Sequence, residues 1–282
     1  MLNDVTFGQY YPTQSFVHRL DPRLKLLFLI AYIVMLFVAN SFYGLALSAL
    51  ILIIAIIASR VPVLSVLRSI KGIIFILIFT SVLNVFFHGG EGDPLWQWGI
   101  IRIYAEGLIF AGFLTLRLFF LVMGSALLTL TTTPVSLTDG IESLLYPLTW
   151  IKVPVRALAL IMSIALRFIP TLMDETNRII SAQKARGASF DTGNVFKRVK
   201  AVIPVLIPLL ISAFRRAEEL GDAMDVRCYS SSEKRTKYKK LKFTLRDLIA
   251  SFFGAVLIAG VILLNIYGAR ICPQIYEFVV IR

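Results

Sequence analysis

A series of apolar runs nearly free of charge constrains this chain more than any other feature. Residues 26–39, 45–58, 73–87, 108–130 and 248–267 are almost wholly apolar. Roughly 20 helical residues span the hydrocarbon core of a bilayer, and a helix satisfies its own backbone groups there. Hydrophobic residues make up 57% of the 282 positions, and mean hydropathy is +0.79. A water-soluble domain is usually nearer half apolar. The expectation is an all-α integral membrane protein with about five transmembrane helices, the bilayer being its first partner.

Charge orients these runs. The net charge of +12 would suggest nucleic acid in a soluble protein, but in a membrane protein basic residues mark cytoplasmic loops. Arg60, Arg68 and Lys71 therefore read as cytoplasmic. Pro62 and the alternating apolar residues near them suggest a short helix on the membrane surface. The loop from His88 through Asp93 to Trp96 and Trp98 is acidic or neutral and reads as external, its tryptophans suiting the headgroup layer. The expected topology is a cell-membrane multi-pass protein. Its N-terminus is inside, four spans follow, a basic domain lies inside, and a fifth span leads to an external C-terminus. Arg270 and Arg282 run against this bias. The polar start carries no small-residue cleavage site, so no signal peptide is expected. The domains are an N-terminal membrane domain at 1–131, a cytoplasmic coupling domain at 132–245, and a final span with its tail at 246–282.

Residues that could carry enzymatic chemistry are scattered. Cys228 and Cys272 fall on opposite sides of the membrane in this topology, so no bridge is expected; His18 and His88 are far apart. No zinc pattern, Gly-rich phosphate loop or nucleophile elbow occurs. The expectation is a non-enzyme without catalytic residues, cofactor or metal. Arg117 stands inside the fourth apolar run. A charge there is expensive, so it is either a structural arginine paired within the bundle or a functional one.

Well over half of the 29 Lys and Arg lie in 132–245. Three amphipathic helices are expected: one from Ser136 to near Pro147, one over 153–187 and one over 194–227. Arg156, Arg167, Pro170, Pro204 and Pro208 interrupt their apolar parts. They read as helices half-sunk at the interface, with two further spans as the alternative. Lys234 to Arg246 form a basic patch suited to anionic lipid heads, at about 1 kcal/mol per base. A nucleic-acid arm would interleave more aromatics than Tyr238 and Phe243, so no nucleic-acid partner is expected.

The second helix ends in Ala185-Arg186-Gly187, the third in Val226-Arg227-Cys228 with Ala223 just before. Gly187 can take the left-handed cap conformation, which makes Arg186 the last helical side chain. A cation there is favoured by the helix dipole. Arginine offers a planar fork for a carboxylate that lysine lacks, and small neighbours keep the tip narrow. The bland reading is an ordinary capped helix with a solvated arginine. The other reading is a pair of plugs that dock on soluble partners through Ala185, Arg186, Gly187, Ala223, Arg227 and Cys228.

The setting Ala182-Gln183-Lys184-Ala185-Arg186-Gly187 resembles the signature of the transmembrane T component of energy-coupling factor (ECF) transporters. Ser15 with His18-Arg19-Leu20-Asp21-Pro22-Arg23-Leu24-Lys25 resembles that family's N-terminal region. The second tip departs from the family's usual Ala-Arg-Gly, since Val226 and Cys228 flank Arg227. The resemblance implies a coupling scaffold joined to two cytoplasmic ABC ATPase subunits and a substrate-binding membrane S component. Each arginine tip would sit in a groove of one ATPase. ATP hydrolysis on those partners would drive vitamin or metal uptake. The competing readings are a stand-alone small-molecule permease, a conventional ABC permease half, and a membrane-embedded enzyme.

Overall fold

The computed structural model describes residues 10–39, 41–87, 96–98, 101–188, 195–229 and 243–271. The chain divides into two compact units, residues 8–141 with 241–282, and residues 142–240 with the first seven. It is an all-α membrane protein apart from one small hairpin.

In the first unit, α1 (Pro22–Val38) starts on Asp21, whose carboxylate accepts from the Arg23 amide. Proline at the first helical position suits this start because its missing N–H would have no helical partner there. Helix α2 (Phe42–Ser59) is capped by Ser41 and ends on Arg60 in the left-handed conformation, φ 53°. Helix α3 (Val63–Ile70) is short and buries Val66 and Ile70 while its other face is exposed. Such one-sided burial suits a helix lying along a surface. It meets α4 (Ile74–Phe87) at a bend of 61°. Helix α5 (Ala105–Thr131) packs against α1, α2, α3 and α4, and α9 (Leu245–Ile271) packs against α1 and α2. The core between them holds Leu36, Leu52, Val66, Phe113, Met123 and Leu127. A Cβ at Gly124 would come within 2.8 Å of the Tyr32 ring, so a glycine is what lets α5 approach α1 so closely.

Between α4 and α5 the expected loop contains two short antiparallel strands, β1 (Trp96–Trp98) and β2 (Ile101–Ile103), pairing Trp96 with Ile103. Alternating aromatic and β-branched residues favour a pleated pairing. His88, the acidic part of that loop, the basic residues Lys234–Lys242 and Cys272 lie outside the described residues.

Helix α6 (Pro134–Leu145) lies mostly in the first unit and ends in the second, which holds a 3₁₀ turn at Tyr146–Ile151, then α7 (Val155–Ala185) and α8 (Val195–Val226). The prolines break neither long helix: Pro170 lies inside 31 residues of α7, and Pro204 and Pro208 inside 32 of α8. Among the described residues α2, α5 and α7 are long and apolar enough to cross a membrane, and the bent α3–α4 pair could make a fourth span. Helix α1, read as a span, has 17 residues. Helix α7, read as interfacial, passes this length and composition test because Pro170 leaves it continuous.

Candidate functional site

Both arginine tips end in the same backbone device. At the end of α7, Gly187 stands at φ 89°. Its N–H donates to the Lys184 carbonyl at 3.0 Å, and the Ala188 N–H donates to the Gln183 carbonyl at 3.0 Å. That pair of bonds is a Schellman cap. At the end of α8, Cys228 stands at φ 53°. Its N–H donates to Asp225 at 2.8 Å, and the Tyr229 N–H to Met224 at 2.9 Å. Arg186 and Arg227 therefore occupy the same place in two matching caps. Ala185, Arg186, Gly187, Ala223, Arg227 and Cys228 are all exposed, and the Cys228 thiol is free. The departure from Ala-Arg-Gly changes the side chains at the second tip and keeps its hydrogen bonds. A cysteine held in the left-handed region carries a cost of about 1–2 kcal/mol that glycine escapes.

The two helices behind these tips are joined by Glu175. Its carboxylate accepts from Ser212 Oγ at 2.7 Å and from the Arg216 guanidinium at 2.6 Å. Each tip arginine lies eleven positions beyond its own partner in this contact, Arg186 from Glu175 and Arg227 from Arg216. At 1.5 Å per residue both arms are about 16 Å long. Sequence reasoning missed this junction. Its signal was the acid at 175 within the polar half of α7 and the Arg215-Arg216 pair in α8.

In the other unit, a buried lysine and a half-buried arginine exchange caps between antiparallel helices. Lys25, in the first turn of α1, donates to the Thr131 carbonyl at 2.9 Å, to Thr132 Oγ1 at 3.3 Å and to the His18 carbonyl at 3.3 Å. Arg117, on α5, donates to the carbonyl of Ala39 at the far end of α1 at 2.6 Å. Each helix thus supplies a cation to the carbonyl-rich C-terminus of the other, where positive charge is favoured. Fourteen residues separate the two ties on each helix, about 21 Å. Arg117 also lies over the rings of Phe113, at 4.8 Å, and Phe37, at 5.9 Å.

The lead-in is folded onto the same corner. The Tyr11 carbonyl lies 3.0 Å from His18 Nε2 and Ser15 Oγ lies 2.7 Å from Nδ1. A carbonyl can only accept, so Nε2 carries the proton and Nδ1 accepts from Ser15. Burial holds His18 below its ordinary value, against the opposing pull of the Tyr11 carbonyl. Asp247, 1% exposed, accepts from Thr244 N–H and Oγ–H at 2.8 and 2.7 Å, and its other oxygen accepts from the Asp21 N–H at 2.9 Å. The acid thus caps the Thr244 N–H as in one half of a capping box, and its second oxygen reaches another helix start. The residues 15–25 thus fasten the starts of α1 and α9 and the end of α5.

Among the described residues no three His, Cys, Asp or Glu converge to hold a metal. The chain is a helical, multi-pass membrane protein whose distinctive exposed features are two arginine-bearing helix ends. A family model described as cobalt transport protein, CbiQ, matches residues 13–238. Curated relatives carry the name energy-coupling factor transporter transmembrane protein EcfT. That from Clostridium kluyveri is 49% identical over 270 residues, 96% of this chain and 100% of that protein. Those from Ruminiclostridium cellulolyticum and Bacillus subtilis are each 47% identical, over 265 and 247 residues, covering 94% and 88% of this chain and 98% and 93% of those proteins. The chain belongs to the CbiQ/EcfT family, the transmembrane T components of ECF transporters.

Proposed function

We propose that this chain is the mechanical link of an ECF transporter. Arg186 and Arg227 dock in grooves of two cytoplasmic ABC ATPases, and the apolar faces of α7 and α8 grip a membrane-embedded S component that carries the vitamin or metal. The reading rests above all on the two matching caps, which present an exposed arginine fork at the same position of each helix. Two tips suit two copies of a nucleotide-binding partner, and the guanidinium fork suits acidic groups in a groove. The Glu175 junction gives the tips arms of about 16 Å, so a change in ATPase spacing displaces one helix against the other. Val202, Leu206, Leu210 and Phe214 on α8, and Leu158 and Ile161 on α7, are exposed apolar side chains open to lipid or to the S component. ATP chemistry stays on the partners; this chain contributes no catalytic residue.

Arg186→Glu combined with Arg227→Glu should abolish co-purification of both ATPases from membranes, while a single substitution weakens capture. Wild-type recovery of both ATPases by the double variant would end the docking reading. The topology is tested on the native thiol: in a Cys272→Ser background, Cys228 should react with an impermeant maleimide only from the cytoplasmic side. Labelling from outside would reverse it.

A further inference from the structure

Three arginines from distant parts of the sequence meet at one open cavity of the first unit. The cavity, of about 640 Å³, is lined by Arg19, Arg60 and Arg246, with Phe16 and Ile57 among its apolar walls. Arg19 precedes α1, Arg60 closes α2 and Arg246 lies in the first turn of α9. All three sit where an apolar helix begins or ends, so the cavity lies at a helix-end border between polar flank and hydrocarbon.

Among the described residues no carboxylate lines this space. The acid next to Arg246, Asp247, is buried and already holds Asp21 and Thr244. One nitrogen of Arg19 donates to Gln14 at 2.9 Å, leaving the rest of its fork. None of the three arginines is ion-paired among the described residues. Three clustered cations repel one another, and their forks match the oxygens of a phosphate.

The cavity is also apolar on one side, and that side continues. Phe16 is 43% and Ile57 70% exposed; Ile54, Ile53 and Leu50 follow at 41, 52 and 50%. Spacings of three, four and seven residues put these side chains on one face of α2. An aliphatic stripe therefore runs along the helix away from the arginines. A free phosphate would use only the polar end. A phospholipid uses both, and basic pockets between membrane helices suit acidic headgroups. We propose that this cavity binds the phosphate of an anionic phospholipid through Arg19, Arg60 and Arg246, with an acyl chain laid along Leu50, Ile53, Ile54 and Ile57.

Native mass spectrometry of the purified full-length protein, titrated with phosphatidylglycerol or phosphatidylcholine, tests this. One phosphatidylglycerol should be retained in preference to phosphatidylcholine. Arg60→Gln with Arg246→Gln should weaken it about 30-fold, roughly fivefold per base, whereas Lys71→Gln, an exposed base outside the cavity, should change it less than about twofold. Arg246→Gln alone, in an exposed turn, decides the matter if the double variant misfolds. Ile57→Ser should weaken the lipid alone. Equal retention of both lipids, an equal loss in Lys71→Gln, or unchanged binding by the arginine variants would overturn the site. Displacement of the lipid by millimolar inorganic phosphate would reassign it to a soluble anion and overturn the lipid proposal.

Discussion

The matched caps make opposite demands on two single substitutions. Gly187 stands at φ 89°, and no atom lies within 4 Å of a Cβ built on it. Gly187→Ala therefore meets no clash, and its effect comes from the backbone alone. Left-handed strain costs an L-residue about 1–2 kcal/mol, and the stiffer unfolded chain offsets about 0.5 kcal/mol of that. The net cost is about 1 kcal/mol, or roughly fivefold in the opening of the cap. Cys228 already bears this strain at φ 53°, and its side chain is exposed. Cys228→Gly should recover a similar amount. Hydrogen exchange reads both effects at the amides that close the caps, Ala188 onto Gln183 and Tyr229 onto Met224. Exchange at Ala188 should quicken about fivefold in Gly187→Ala, and exchange at Tyr229 should slow about fivefold in Cys228→Gly. Unchanged exchange at Ala188, or faster exchange at Tyr229, would refute the assignment of Cys228 to the role Gly187 plays.

Other perturbations test the scaffold behind the tips. Glu175 and Arg216 are 26% and 39% exposed at the side chain, so a double-mutant cycle of Glu175→Ala with Arg216→Ala should show a coupling of about 0.5–1 kcal/mol; zero coupling would mean the junction does not hold the helices. Lys25 is 7% exposed and serves three acceptors, so Lys25→Met should cost about 2–4 kcal/mol and lower the melting temperature by several degrees, an unchanged melt counting against the exchanged caps. His18 is held neutral, its pKa below the ordinary 6.5. Its contribution to stability is thus complete above that pH, where folded and unfolded states are both unprotonated, and is lost as pH falls from about 6.5 through the lowered folded value. Melting scans from pH 7.5 to 5 should show that loss, and His18→Gln should flatten it; an equal slope in the variant would assign the effect elsewhere.

Much of the architecture was legible because its signals are local. Pro22 after Asp21 marks the start of α1, and the α1 cap uses both residues. The Ala185-Arg186-Gly187 ending also reads directly, since glycine is the residue that most freely adopts the left-handed turn. Cys228 was less legible. Nothing in its side chain favours φ above zero, yet the two bonds that end α8 require it, and the backbone geometry prevails over residue preference. Pro170, Pro204 and Pro208 leave the two expected long helices continuous, since each removes one backbone bond and the remaining bonds of a helix longer than 30 residues hold it together.

By itself, the sequence determined the membrane class, the helix-forming runs and the place where each arginine ends its helix. Apolar runs of bilayer length and a glycine at a helix end carry their meaning within a few residues. Only the tertiary structure decided which charges are spent inside the fold. Lys25 reaches Thr131 across 106 positions, Arg117 reaches Ala39 across 78, and Asp247 holds the Asp21 amide across 226. Each of those polar groups is costly to bury alone and becomes tolerable when packing brings its partner within hydrogen-bonding distance. Packing depends on the close approach of whole helices, such as α1 and α5 at Gly124. The same packing leaves Arg19, Arg60 and Arg246 around one cavity that no carboxylate of the described residues lines.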